Sequence, residues 1–168
     1  GSVLYYREPA YYSASDWRGT WKMDGGGALM NQGIHTVDLV RWLGGPVRSV
    51  AGFSRTISHS IEVEDAASAV VEFESGALGT LSCSIVPQAK WDVGFKVVCD
   101  GLIVTIEGAN ASYAGDDSGE LHAPENWATL VQKDFIDAVI QGRPAGIPYD
   151  EGVASLAVSI AGYESVKR

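Results

Sequence analysis

The chain has 168 residues, which fits one domain of common size and is too short for two. Its 46% hydrophobic and 20% charged residues are typical of a globular protein with a real core. A net charge of −9 argues against a nucleic-acid binder, because such proteins need a basic face. No apolar run approaches the ~20 residues of a membrane span. No signal peptide is visible either, so we expect a cytoplasmic protein without a membrane partner.

The N-terminal quarter of the chain predicts a strand, an irregular stretch and a helix. Residues 3–7 are aromatic and β-prone and predict a strand, with irregular structure from there through Asp24. A helix is predicted from Ala28 to Leu43, because only Gly33 interrupts it and Gly44-Gly45-Pro46 stops it.

The middle of the chain predicts an antiparallel sheet, since strands joined by tight turns cannot pair in parallel. Ser75-Gly76 and Asp100-Gly101 are typical hairpin connections, and one more short strand is predicted near Ala111–Ala114. Cys83 and Cys99 both fall in strand-like runs, where we expect buried free thiols. The main strands are predicted within residues 47–58, 66–74, 77–86, 91–99 and 102–107.

Two helices are predicted to close the chain. The first covers Asn126–Gln141, with apolar residues at helical spacing. The second is expected to start at an Asp150 N-cap. Its expected buried residues are Val153, Leu156, Ala157, Ile160 and Ala161. The fold class is therefore α+β, an open, predominantly antiparallel sheet with helices packed on one face.

The glycine run before the first helix does not fit a dinucleotide-binding fingerprint. Gly25-x-Gly27 matches its start, but Met30 stands where the third glycine belongs, and a polar loop precedes the run in place of a buried strand. We therefore predict no cofactor-binding residue in this chain. The glycines are instead expected to let the backbone approach another surface closely.

One stripe of the first helix carries polar side chains that could perform chemistry. At 100° per residue, Asn31, His35, Asp38 and Trp42 fall within an arc of roughly 60°. One interpretation is structural, a buried histidine satisfied by a local aspartate. A metal site is disfavoured because too few ligands are present. The chemical interpretation makes His35 an acid or base and lets Asn31 fix a substrate hydroxyl.

The loop before that helix interleaves aromatic rings with cations. Trp17, Arg18, Trp21 and Lys22 lie within six residues. Such a set suits a sugar or an anionic substrate group, because rings stack on sugar faces and arginine binds carboxylate or phosphate in a fork. The alternative is that both tryptophans lie in the core and both cations are solvated.

Three segments resemble the Gfo/Idh/MocA family of NAD(P)-dependent oxidoreductases. Trp17–Gly45, which reads WRGTWKMDGGGALMNQGIHTVDLVRWLGG, is similar to the family's hallmark segment. Asp65–Ser84 resembles its central hairpin, and Phe135–Tyr149 with the last helix resembles its C-terminal end. In that family an N-terminal Rossmann domain binds NAD or NADP and supplies a catalytic lysine from a Lys-Pro motif. The chain contains neither.

The resemblance implies that residues 1–168 form a single substrate-binding and oligomerisation domain, similar to the C-terminal domains of glucose-fructose oxidoreductase and glyceraldehyde-3-phosphate dehydrogenase. His35 matches the histidine that assists proton transfer during hydride transfer at a carbinol carbon. Asn31 stands where many members carry aspartate, so hydroxyl positioning alone is expected there. Arg18, Trp21 and Lys22 lie in the family's substrate-approach loop.

The resemblance implies an NAD(P)-dependent dehydrogenase acting on a sugar, polyol or nucleotide-sugar. A non-catalytic sugar-binding or regulatory relative is the alternative. Without a Rossmann half, the chain alone is expected to bind no NAD or NADP and to be inactive. Residues 69–71 and 103–104 place apolar side chains on both faces of the sheet, so we also expect a homodimer or tetramer through the open face.

Overall fold

The computed structural model describes residues 1–88 and 91–167, and its main feature is one sheet of eight strands in the order β2-β3-β4-β1-β5-β6-β7-β8. Pairing is antiparallel except between β1 and β4. The strands are β1 Ser2–Leu4, β2 Val47–Arg55, β3 Ala66–Phe73, β4 Leu78–Ser84, β5 Trp91–Cys99, β6 Leu102–Glu107, β7 Asn110–Gly115 and β8 Ser118–His122. The predicted α+β class is confirmed.

The shortest strand, β1, joins the two halves of the sheet. It lies parallel to β4, with Val3 beside Cys83, and antiparallel to β5, with Ser2 opposite Gly94. The strands β4 and β5 are neighbours in sequence but not in the sheet. A three-residue strand carries no periodicity from which this insertion could be predicted.

Both predicted hairpins are present, with Gly76 and Gly101 at positive φ as tight turns require. The polar segment after β6 forms two strands, β7 and β8, where only one was predicted. Their side chains are mostly polar because this end of the sheet is exposed, so the alternation of polar and apolar residues is weak.

The helices are α1 Pro9–Ser13, α2 Ile34–Gly44, α3 Trp127–Gln141 and α4 Tyr149–Val166, with a π-helical turn at Ala28–Gln32. The stretch predicted to be irregular thus contains α1, which begins at a proline, a favourable first helical residue. The predicted first helix is divided at Gly33 into the π-helical turn and α2. Its predicted stop is confirmed, because α2 ends at Gly44 and Gly45 has a φ of 86°.

The helical layer covers the β2–β4 half of the sheet. α4 lies along β2 and against α2, while α2 and the π-helical turn pack on β4. Between the layers lies a core of Val3, Leu29, Val37, Val40, Val71, Phe73, Leu81, Ile85 and Phe95. Among the described helices, none is long and apolar enough to cross a membrane.

The prediction for the buried face of α4 is wrong. Ser155, Val158, Ser159 and Gly162 are its buried residues, whereas Val153, Leu156 and Ile160 are 41–47% exposed. Small side chains face inward because α4 packs closely, so that a Cβ on Gly162 would lie 3.4 Å from Leu29. Asp150 is also not the N-cap, because Pro148 takes that position and Asp150 lies in the first turn.

Alternation along β3 separates the two faces of the sheet. Val71 is fully buried under the helices, whereas its neighbour Val70 is 49% exposed on the open face. The cysteine expectation holds for Cys83, which is buried, and is wrong for Cys99, which is exposed. Cys99 ends β5 at the Asp100-Gly101 turn, beyond the part of the sheet that the helices cover.

The helix α3 forms as predicted but buries little against the rest of the described chain. Only Ala138 is buried in it. Its large apolar side chains, exposed by 45–76%, are Trp127, Leu130, Val131, Phe135, Ile136, Val139 and Ile140.

Candidate functional site

The segment that carries His35 and Asn31 is buried on one side and exposed on the other. Leu29, Val37 and Val40 face the core, as the spacing predicts. His35 and Asn31 are exposed, and His35 makes no hydrogen bond to the residues that the structure describes. The imidazole is therefore presented to solvent.

The aspartate on the predicted stripe does not serve His35. Asp38 Oδ1 accepts a 2.6 Å hydrogen bond from the Ser155 hydroxyl, which in turn accepts one of 3.0 Å from Arg41 Nε. Arg41 also pairs with Glu151, so this network joins α2 to α4. The interpretation of His35 as a buried histidine satisfied by a local aspartate is wrong.

Asp24 brings Asn31 next to the loop that contains Arg18. The Asn31 amide donates to Asp24 Oδ1 at 3.2 Å, and Asp24 Oδ2 accepts the Gly19 backbone N–H at 2.8 Å. Asn31 Oδ1 also accepts a bond of 3.1 Å from Gln32. One carboxylate thus fixes the loop against the π-helical turn.

The tryptophans of this loop are half-exposed. Trp17 is 44% and Trp21 47% exposed, so the alternative that both lie in the core is wrong. The Trp21 ring meets the Tyr163 ring edge-on at 5.3 Å, and its backbone N–H donates to Glu62 Oε2 at 3.1 Å. Lys22 is exposed.

Arg18 is not a solvated cation. Its guanidinium carbon lies 4.4 Å from the centroid of the Tyr11 ring and 5.0 Å from that of Trp17. Its Nη1 donates to the Tyr11 carbonyl at 3.4 Å. The interleaved spacing of rings and cations therefore produces cation–π stacking within the chain.

A buried carboxylate, Glu64, holds the start of the segment that carries Asn31 and His35. It accepts hydrogen bonds from the backbone N–H of Gly27 at 3.0 Å and of Leu29 at 2.8 Å, and from the Tyr163 hydroxyl at 2.8 Å. Its own carbonyl accepts the Ala28 N–H at 2.9 Å. Burial raises the pKa of Glu64, although these hydrogen bonds oppose the rise.

The contact with Glu64 explains the glycine run. A Cβ on Gly27 would overlap the Glu64 carbonyl oxygen, and one on Gly26 would overlap the Tyr163 hydroxyl. The predicted close approach of the backbone is therefore present. Because Glu64 occupies the N–H groups of residues 27–29, they are not free to bind a pyrophosphate, and this part of the chain does not fit a nicotinamide cofactor.

A second buried carboxylate, Asp65, fixes the neighbouring loop. It accepts backbone N–H bonds from Ile57, Ser58 and His59 at 2.7–2.9 Å and lies 3.1 Å from His59 Nδ1. His59 Nε2 donates to the Arg7 carbonyl at 2.8 Å. Burial alone would raise the pKa of Asp65, but the hydrogen bonds outweigh it and hold that pKa below its usual value.

The sequence reasoning missed the residues that hold the site together, Asp24, Glu64, Asp65 and Tyr163. One available signal was the adjacent pair Glu64-Asp65, placed between Val63 and the apolar strand β3. Carboxylates in such a position are buried only when hydrogen bonds satisfy them. In residues 1–88 and 91–167, no three His, Cys, Asp or Glu side chains converge as metal ligands would.

Comparison with known proteins identifies the family. Residues 1–123 match the model of the GFO/IDH/MocA C-terminal domain. The chain therefore belongs to the GFO/IDH/MocA family, as its hallmark segment suggests. No curated protein sequence matches the chain.

Solved structures agree with this assignment. The chain is 30% identical to the WlbA dehydrogenase from Bordetella pertussis, solved with NADH and UDP-GlcNAcA, with a TM-score of 0.75 over 99% of this chain and 50% of that one. It is also 30% identical to WlbA from Chromobacterium violaceum, in complex with the same two ligands, with a TM-score of 0.68 over 99% of this chain and 51% of that one.

A levoglucosan dehydrogenase in complex with NADH and levoglucosan has a TM-score of 0.85 over 99% of this chain and 55% of that one. Its sequence is 16% identical to this chain, so the similarity shows the shared fold alone. The chain thus spans about half the length of the solved relatives that it matches.

Proposed function

We propose that this chain is the substrate-binding half of an NAD(P)-dependent dehydrogenase that transfers hydride at a carbinol carbon of a sugar, polyol or nucleotide-sugar. The observation that carries the proposal is the exposed His35, which lies on a helix whose other side is buried and makes no hydrogen bond within the described chain. An imidazole placed in this way is able to take or give the proton of a substrate hydroxyl.

The neighbouring side chains support substrate binding at the same surface. Asn31 keeps hydrogen-bonding capacity beyond its bonds to Asp24 and Gln32, because an amide offers two donors and two lone pairs. It would orient the hydroxyl without moving a proton. Trp21 offers a half-exposed ring for a sugar face, and Lys22 offers an exposed charge.

The nicotinamide cofactor would be held by a part of the protein outside this chain. The glycine run is occupied by Glu64, as described above, and the sheet is antiparallel apart from one short pairing. The exposed apolar side chains of α3 and of the outer side of α4 offer a surface for such a part to cover. We therefore expect residues 1–168 alone to bind neither NAD nor NADP.

We further propose that two copies pair through the open face of the sheet. Apolar side chains of this face are exposed by 43–74%, namely Phe53, Val70, Leu78, Val98 and Ile103. A surface of this kind on a sheet is usually covered, and the simplest cover is the same face of a second copy.

The function is tested with the full-length parent protein. Its oxidation of UDP-GlcNAcA, of the uncharged sugar levoglucosan and of simple polyols is followed by the absorbance of the reduced nicotinamide, with NAD and with NADP. Turnover of at least one substrate supports the proposal. Tight sugar binding without turnover of any of them would favour a non-catalytic relative. Calorimetry of the 168-residue chain with each nucleotide should show no binding.

A further inference from the structure

Two arginines share one aromatic ring next to the candidate site. The guanidinium carbons of Arg7 and Arg18 lie 4.5 Å and 4.4 Å from the centroid of the Tyr11 ring. Tyr5 stacks on Arg7 at 4.4 Å, and Trp17 stacks on Arg18 at 5.0 Å. These five residues form an alternating series of rings and cations, which we call the arginine ladder.

Stacking satisfies the faces of the two guanidinium groups but not their edges. The five N–H donors of a guanidinium point outward in its plane. The Nε atoms of Arg7 and Arg18 are buried and have no hydrogen-bond partner. Within the described chain, Arg18 Nη1 makes the ladder's one side-chain hydrogen bond, to the Tyr11 carbonyl, and no carboxylate lies within 4 Å of either arginine.

The two arginines share this ring although the chain has a net charge of −9. Two positive charges beside one ring repel each other, and burial weakens the screening of that repulsion by water. The stacked rings hold both groups in fixed orientations, which lowers the entropic cost of binding a ligand. An anion near the remaining Nη groups would relieve this repulsion.

A cleft of about 760 Å³ adjoins the ladder between α1, the Trp17–Asp24 loop and residues 57–62. Arg18 lines it, and so does His59, whose Nε2 donates to the Arg7 carbonyl. Glu62 is the acidic lining residue of this cleft, and its Oε2 is engaged by the Trp21 backbone. Hydroxyl groups that line the cleft come from Tyr12, Ser13, Thr20 and Ser60.

We propose that Arg18, with the charge of Arg7 on the shared Tyr11 ring, forms an oxyanion-binding site that holds a phosphate or carboxylate group of the substrate in this cleft. The proposal rests on the proposed function, because it makes the anion part of the substrate on which His35 acts. Arg18 binds at the wall of the cleft, whereas Arg7, which is not among the residues that line it, contributes its positive charge across Tyr11. A substrate that lacks such a group loses this contact.

The test uses the 168-residue chain and needs neither cofactor nor turnover, so its failure is distinguishable from failure of the proposed function. Arginine Nε–H signals are recorded by NMR during titration with inorganic diphosphate and, separately, with glucuronate, against sodium chloride at equal ionic strength. The expected result is that the Arg18 signal shifts, with a smaller shift at Arg7, while those of Arg48 and Arg55 do not. Equal shifts at all four arginines would overturn the proposal.

Variants give a second measurement. Arg18→Gln should weaken binding of the anion by about tenfold to a hundredfold, the usual effect of losing a charge-assisted hydrogen bond. Arg55→Gln removes the same charge from the open face and should leave the affinity unchanged. If Arg18→Gln does not fold, Arg18→Lys keeps the charge without the fork and should also bind more weakly than the unaltered chain.

The two probes identify the kind of anion. Tighter binding of diphosphate assigns the site to the phosphates of a nucleotide-sugar, and tighter binding of glucuronate assigns it to a sugar carboxylate. Binding of neither probe, or equal affinity of the unaltered chain, Arg18→Gln and Arg55→Gln for the probes, contradicts the site.

Discussion

Tyr163, near the end of α4, donates a 2.8 Å hydrogen bond to the buried carboxylate of Glu64. The same tyrosine ring meets Trp21 edge-on, and the same carboxylate holds the backbone of Gly27 and Leu29. The pair therefore links the last helix to both parts of the candidate site, the aromatic loop and the segment carrying Asn31 and His35.

Removal of the Tyr163 hydroxyl should weaken this link. Tyr163→Phe keeps the ring but takes one donor from a buried carboxylate, so we expect the free energy of unfolding to fall by about 1–3 kcal/mol. Tyr149→Phe is the matched control on the same helix, because Tyr149 is 85% exposed, and should change nothing measurable. Urea unfolding of both variants measures this. If Tyr163→Phe is as stable as Tyr149→Phe, the hydrogen bond from Tyr163 to Glu64 does not stabilise the fold.

Substitution of Gly27 should disrupt the same region. In Gly27→Ala the new Cβ would overlap the Glu64 carbonyl oxygen. The segment that leads into β3 and the π-helical turn would therefore have to move apart. We expect the free energy of unfolding to fall by about 1–3 kcal/mol. Gly152→Ala is the control, since its Cβ meets nothing within 4 Å in α4 and should stabilise the helix by about 0.5–1 kcal/mol. A neutral Gly27→Ala would refute the close approach.

The low pKa of Asp65 predicts how stability depends on pH. Because this pKa is lower in the folded chain than its ordinary value of 3.8, the folded state binds fewer protons there than the unfolded state. The carboxylate therefore stabilises the fold fully above pH 3.8, and its contribution is lost as pH falls through the folded pKa.

Asp65→Asn should accordingly cost about 1–3 kcal/mol at neutral pH, since an amide nitrogen cannot accept the backbone N–H bonds that both Asp65 oxygens accept. The difference from the unaltered chain should shrink as pH drops below 3.8. Denaturant unfolding at several pH values measures this, with the exposed Asp16→Asn as control. A difference that stays constant with pH would show that ionised Asp65 does not stabilise the fold.

Because Val70 and Val71 lie on opposite faces of the sheet, the same substitution should have different effects at the two positions. Val70→Glu places a charge on the open face and should dissociate the assembly without unfolding it, whereas Val71→Glu places one in the core and should unfold the chain. A stable contact buries at least ~1,200 Å². Light scattering at micromolar concentration should show a dimer or tetramer for the unaltered chain. A 17.8 kDa monomer would contradict the proposed pairing.

Local signals in the sequence were sufficient for much of the fold. The turns at Ser75-Gly76 and Asp100-Gly101, the stop at Gly44-Gly45 and the helix now called α3 depend on backbone preferences of nearby residues, and each is confirmed. The insertion of β1 beside β4 depends instead on contacts some 80 residues apart in sequence, which no local pattern encodes.

The buried side of α4 shows a different limit. Hydrophobicity predicted that Leu156 and Ile160 face inward, but close packing of α4 on β2 and α2 selects Ser155, Ser159 and Gly162. For the site, sequence identified the exposed chemical groups, such as His35. It did not identify Glu64, because a carboxylate is usually found at the surface and its burial depends on partners from Gly27 and Tyr163.

The assignment of His35 to proton transfer is tested most directly by comparing two histidine variants of the full-length parent protein. His35→Ala should lower kcat by about 10²–10⁴-fold, the usual contribution of a general acid or base, with little change in Tm because His35 is exposed. His122→Ala, at an exposed histidine on β8, should leave both quantities unchanged. A sharp fall in Tm for His35→Ala, with unchanged activity per folded molecule, would contradict the assignment of His35 to proton transfer.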